Sequence, residues 1–97
     1  PYIFEDRFRT IQRKANPFGL TLFSFVAAQH RAILDWLKQQ PFVQADRIGF
    51  YGLSYGGFTA MRIPALFDDY AAVICSGNFN EWIWKTTTLE EKFSYMF

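Results

Sequence analysis

Between about Thr21 and Gln40, apolar side chains recur at helical spacing. Leu22, Val26, Ile33 and Leu37 fall near one stripe, which Phe25, Ala32 and Trp36 widen. Pro41 closes this helix, because a residue preceding proline is pushed out of the helical region. The pattern then changes. Arg47-Ile48-Gly49-Phe50-Tyr51 is short, apolar and aromatic and runs straight into glycines, which predicts a buried strand. A second helix is expected from about Tyr55 to Ile63, where Pro64 removes a backbone donor and ends or kinks it. Asp68-Asp69 mark a turn, and Ala71-Ala72-Val73-Ile74-Cys75 reads as the next buried strand, broken by Ser76-Gly77-Asn78. Thr88-Leu89-Glu90-Glu91 has the spacing of a capping box that opens a last helix. Ahead of all these, Pro1 to Pro17 reads as a loop: its charges are mixed, no period is sustained, and Asn16-Pro17 and Gly19 punctuate its end.

The expected order is helix, strand, helix, strand, helix. A strand–helix–strand unit implies a parallel pair, and a parallel sheet needs both faces covered. Two strands offer too little sheet for these helices. The expectation is an α/β fold whose further strands and helices lie on both sides of this segment.

Composition sharpens that picture. Of 97 residues, 51% are apolar and 21% aromatic, a large load for one small domain to bury. The formal charge is +1, which gives no electrostatic reason to expect nucleic acid or an acidic membrane surface as a partner. No apolar run approaches the length of a membrane span, and a single cysteine cannot form an internal disulfide.

The chemistry sits at Gly52-Leu53-Ser54-Tyr55-Gly56, a G-x-S-x-G followed by Gly57. At ordinary Gly and Ser frequencies of about 7%, roughly 3% of chains this long would contain such a run by chance. Its position matters more than its letters, for it lies where a strand is expected to stop and a helix to start. A serine at the top of such a turn is held in a strained conformation that projects its hydroxyl into the crevice. The residues two before and two after it come close together, so Gly52 and Gly56 are expected where only small residues fit. Gly57 lets the helix approach the strand. The Tyr55 N–H, at the positive end of the helix, is the expected donor to a developing oxyanion. Two other readings stand beside this one: a bland tight turn, or an anion site. A phosphate cradle, however, usually carries G-x-G-x-x-G or a Lys-Ser/Thr ending, and neither is present.

The run from Arg47 to Gly57, preceded by the Trp36-Leu37 helix and Pro41-Phe42-Val43, resembles the nucleophile region of the α/β-hydrolase superfamily. It is most similar to the acetyl-xylan-esterase and dienelactone-hydrolase-like branch. Its Ser-Tyr-Gly-Gly continuation is also shown by prolyl-oligopeptidase-type serine peptidases. The likeness is clear over about residues 20 to 80, and Gln44 stands where the esterase branch commonly has an aspartate. The resemblance implies a three-layer α/β-hydrolase fold with a mostly parallel sheet, of which residues 1–97 form a central part. It implies acyl transfer to water through Ser54; no cofactor is expected, and no Cys/His cluster or carboxylate array in the sequence has metal-ligand spacing. The expected substrate is a small-molecule or carbohydrate ester, with a peptide substrate or a non-catalytic scaffold as alternatives, and the expected partner is the rest of the catalytic domain.

It also implies the order Ser, acid, His along the chain. The one histidine, His30, precedes Ser54 and reads as a surface or packing residue. Asp68 and Asp69 fall at the sheet edge opposite the turn, and Asp35 and Asp46 belong to the wrong elements. Glu81, after the second strand, is the one acid candidate on the correct edge. The base, and more often the acid, would follow Phe97. Cys75 reads as a small buried hydrophobe. Ser76, Asn78, Trp82 and Trp84 are candidates for lining a pocket, with a polar turn and interdomain packing as the competing readings.

Overall fold

The computed structural model describes residues 3–77 together with Phe79, Ile83 and Thr87. The chain divides into two compact units, residues 1–25 with 80–97, and residues 26–79.

The first unit departs from expectation at once. Residues read as a loop form a helix, α1 (Ile3–Ala15). The reason is visible in the sequence: Phe4, Phe8, Ile11 and Ala15 keep helical spacing, and the interspersed charges occupy the other flank. The punctuation acts later, at a 3₁₀ turn (Asn16–Phe18) carrying Pro17. Gly19 then adopts a left-handed φ of 70°, and its N–H donates to the Asn16 carbonyl. The next helix, α2 (Leu22–Lys38), opens with side-chain oxygens accepting from its leading N–H groups. The Thr21 N–H donates to Ser24 Oγ at 3.1 Å, and the Leu22 N–H donates to Gln12 Oε1 at 2.6 Å.

In the second unit α2 ends ahead of Pro41. The Gln39 and Gln40 N–H groups and the Gln40 carboxamide satisfy its last carbonyls at Trp36 and Leu37. The buried flank of α2 is rotated from the expected stripe. Leu34 is fully buried, whereas Ile33 and Trp36 are exposed. Both flanks are apolar, so periodicity alone cannot choose between them.

Strand β1 (Gly49–Leu53) starts two residues later than expected, helix α3 (Tyr55–Arg62) follows directly, and β2 (Ala72–Ser76) completes the unit. A 3₁₀ turn (Ile63–Ala65) ends α3 at Pro64, as the missing N–H of proline requires. The strands pair in parallel, Gly49 opposite Ala72 through to Leu53 opposite Ser76. The Ala71 N–H extends the pairing by donating to the Ile48 carbonyl at 2.8 Å.

Alternation along the strands separates two faces. Phe50 and Gly52, with partners Val73 and Cys75, are covered: the His30 ring of α2 meets Phe50 edge-on at 4.9 Å, and the Gly56 backbone of α3 lies against Gly52. Tyr51, Leu53 and Ile74 share the other face and are exposed. The strands are therefore half-buried rather than buried. Leu34, Phe58 and Ile63 are the largest fully buried side chains, each contributing about 1.5–3 kcal/mol. No described helix is long and apolar enough to cross a membrane. The expected last helix at Thr88-Leu89-Glu90-Glu91 lies outside the described residues.

Candidate active site

The turn joining β1 to α3 places a single residue, Ser54, between strand and helix. Its φ is 57° and its ψ −115°, a combination outside even the left-handed helical region. No other non-glycine residue described here has a positive φ. Such a conformation costs about 1–3 kcal/mol and persists only where its surroundings over-determine it.

Three hydrogen bonds do so. The Ser54 N–H donates to the Ser76 carbonyl on β2 at 3.2 Å. The Ser54 carbonyl accepts from the Gly57 and Phe58 N–H groups of α3 at 2.9 and 3.2 Å. Ser54 is the N-cap of α3, yet its side chain makes no capping hydrogen bond, and the residue is exposed. A cap serine ordinarily uses its oxygen on the helix N–H groups.

The glycines divide the work unequally. A Cβ on Gly52 would stand 1.9 Å from the Gly56 oxygen and 2.9 Å from the Gly57 nitrogen, so only glycine fits. A Cβ on Gly57 would stand 2.2 Å from the Gly77 oxygen and 3.3 Å from Cys75 Sγ. A Cβ on Gly56 would meet nothing within 4 Å, which corrects the expectation that both flanking positions of the motif exclude a side chain. The crowding falls on Gly52, which packs under the Gly56 peptide, and not on the Gly56 α-carbon.

Tyr55 opens α3, so its N–H belongs to the positive helix end beside Ser54. Leu53 and Ser76 end their strands as register partners, placing Ser54 and Gly77 at one C-terminal sheet edge. Cys75 lies on the covered face with its Sγ 3.4 Å from both the Gly57 and Gly77 carbonyl oxygens, a contact no sequence motif announces.

The other polar candidates lie elsewhere. His30 shares a 2.7 Å hydrogen bond through Nδ1 with the Tyr70 hydroxyl and packs among Phe50 and Tyr70. Burial lowers its pKa from the ordinary 6.5 and, with the Asp69 charge as a second cause, raises that of Tyr70. Asp69 precedes β2 at the opposite sheet edge and pairs with Arg31 at 2.7 Å and with Lys38, which holds its carboxyl well below the ordinary range. Arg31 also pairs with Asp35 at 2.6 Å. Glu81, Asn78, Trp82 and Trp84 lie outside the described residues. Among the described residues no group of three His, Cys, Asp or Glu is placed to hold a metal.

No solved structure matches the chain. A sequence profile does. It begins inside α2, takes in the whole β1–Ser54–α3–β2 arrangement, and covers residues 26–96; it is that of the prolyl oligopeptidase family. A strand-to-helix serine on a parallel sheet and a profile match over most of the chain point the same way, and the chain belongs to the prolyl oligopeptidase family, among the serine hydrolases of the α/β-hydrolase superfamily.

Proposed function

We propose that Ser54 is the nucleophile of this hydrolase and that residues 1–97 form the central part of one α/β-hydrolase catalytic domain. The observation that carries the reading is the backbone of Ser54, strained to φ 57° and ψ −115° with its hydroxyl unused as a helix cap. In the reaction Ser54 Oγ attacks the substrate carbonyl while a histidine base takes its proton. The Tyr55 N–H donates to the resulting oxyanion, and collapse of the tetrahedral adduct expels the leaving group. Water then hydrolyses the acyl-enzyme. The base and the second oxyanion donor come from the rest of the domain; the acid comes either from there or from Glu81, which follows β2 in the sequence. The apolar face of Tyr51, Leu53 and Ile74 is the surface against which the third layer of that domain packs.

The finer reading is an esterase for a short acyl group, such as an acetylated sugar. Two observations support it: the resemblance of residues 47–57 to acetyl-xylan-esterase-like enzymes, and the aromatic run Phe79-Asn80-Glu81-Trp82-Ile83-Trp84 after β2, which suits a narrow crevice. The family match favours a second reading, a peptidase cleaving after proline. A fluorophosphonate probe on the full-length protein tests the nucleophile: labelling is expected at Ser54 and lost in Ser54→Ala, and labelling elsewhere refutes it. Specificity constants for an acetyl ester and a Gly-Pro anilide test the substrate. The ester is expected to react faster, and preference for the anilide selects the peptidase.

A further inference from the structure

Few apolar groups hold helix α2 to the strands: within residues 26–38 only Leu34 is buried. The other attachments are polar or aromatic and gather towards the sheet edge opposite Ser54. His30 Nδ1 shares its 2.7 Å hydrogen bond with the Tyr70 hydroxyl, just ahead of β2, and its ring meets Phe50 of β1 edge-on. The Phe50 and Tyr70 rings lie 5.5 Å apart, so the imidazole closes a cluster of three rings. The neighbouring Arg31 donates to both carboxylate oxygens of Asp69, at 2.7 and 3.1 Å, and stands 5.3 Å over the Phe67 ring. Consecutive residues of α2 thus grip consecutive residues of the connector from α3 to β2.

The charges of this grip balance only while His30 is neutral. Arg31 and Lys38 stand against Asp35 and Asp69, two cations for two carboxylates, and each carboxylate already has its partner. Asp68, exposed, joins none of these pairs. From β1 the imidazole meets the uncharged Phe50, and from the connector Tyr70. A neutral ring can accept the Tyr70 hydroxyl proton at Nδ1, whereas a protonated ring can only donate. Protonation therefore adds a third cation beside Arg31, in a partly buried site lined by rings, with no carboxylate left to pair with it. We propose that His30 is a proton-operated latch: neutral, it fastens α2 to Phe50 and Tyr70; protonated, it releases the helix from the strands, leaving the Arg31–Asp69 pair as a tether. Burial holds the imidazole pKa below 6.5, so the latch is closed above about 6.5 and opens as pH falls through the window beneath. Asp69 stays ionised throughout that window, since Arg31 and Lys38 hold its carboxyl well below the ordinary 3.8. Opening is thereby local and reversible. It stands on residues 26–79 and is independent of the role of Ser54.

Amide hydrogen exchange of the full-length protein, read by mass spectrometry at about pH 7.5 and about pH 5 and corrected for the chemical exchange rate, tests the latch. Peptides from residues 26–38 are expected to exchange about fivefold faster at the lower pH, while those from residues 49–62 change by less than about twofold. In His30→Gln, which cannot titrate, the acceleration of residues 26–38 is expected to vanish. Tyr70→Phe removes the hydroxyl and leaves the imidazole: α2 is expected to exchange faster already at neutral pH, with a smaller response to acid. Should His30→Gln fail to fold, Tyr70→Phe decides, and a full wild-type response in it overturns the inference. Equal exchange of residues 26–38 at both pH values, an equal acceleration of residues 49–62, or a wild-type response in His30→Gln overturns it as well.

Discussion

Gly52 and Gly56 are interchangeable in the motif but not in the fold, and substituting each by alanine separates them. At Gly52 the new methyl would lie 1.9 Å from the Gly56 oxygen and 2.3 Å from its carbonyl carbon. Reaching the 3.4 Å of ordinary contact requires roughly 1.5 Å of movement by backbone, not by a flexible side chain tip. Overpacking of this kind costs about 1–3 kcal/mol where side chains can yield. Here the start of α3 must shift and the hydrogen bonds that stabilise the strained Ser54 must stretch with it, which brings the expected loss to about 3–5 kcal/mol. That is a third or more of the stability of an ordinary domain, about 5–15 kcal/mol. At Gly56 the methyl meets nothing within 4 Å. Alanine there reduces the freedom of the unfolded chain and favours the helix, an expected gain of about 0.5–1 kcal/mol. Urea unfolding of the full-length wild type and both variants, followed by circular dichroism, measures the difference. Equal midpoints for the two variants, or a Gly52→Ala within 1 kcal/mol of wild type, would refute the reasoning.

Replacing Ser54 by glycine relieves its torsional strain, whereas alanine retains it; Ser54→Gly should be more stable than Ser54→Ala by about 1–2 kcal/mol in the same unfolding experiment. Because burial lowers the pKa of His30 from 6.5, the unfolded chain binds the proton more readily. Its contribution is intact above about 6.5 and lost as pH falls through the window below, so His30→Gln should flatten the stability–pH curve there. Asp69 is depressed by Arg31 and Lys38 from an ordinary 3.8. The deficit of Asp69→Asn should therefore be full at neutral pH and shrink as pH falls below 3.8, and added salt should reduce it.

The serine turn and its flanking elements were legible because they rest on local chemistry: glycines after an apolar run, a proline that stops α3, a proline that stops α2. What the letters concealed depends on choices between equal options. α2 is apolar on both flanks, and the packing of His30 against Phe50 and Tyr70 goes with burial of Leu34 rather than Ile33. α1 carries its apolar stripe among charges of both signs, so charge mixing masked a periodicity that was present. The unequal roles of Gly52, Gly56 and Gly57 follow from where each α-carbon points, which spacing does not encode. The Cys75 contact depends on a parallel register that a sequence does not display.

The hydrogen bond from Ser54 to Ser76 has a consequence for the order of events during folding. A turn made wholly of neighbouring residues would form in any peptide that contained them. This one stores strain offset partly by the adjacent first turn of α3 and partly by β2, more than twenty residues on, so the loop through α3 must close before all the hydrogen bonds that hold the serine are in place. A nascent or partly folded chain thus carries the motif without the full set of contacts that fix the Ser54 backbone. If Ser54 is the nucleophile proposed above, docking of β2 completes its posture, and activity should be lost under heat or denaturant as β2 undocks, before the helices melt.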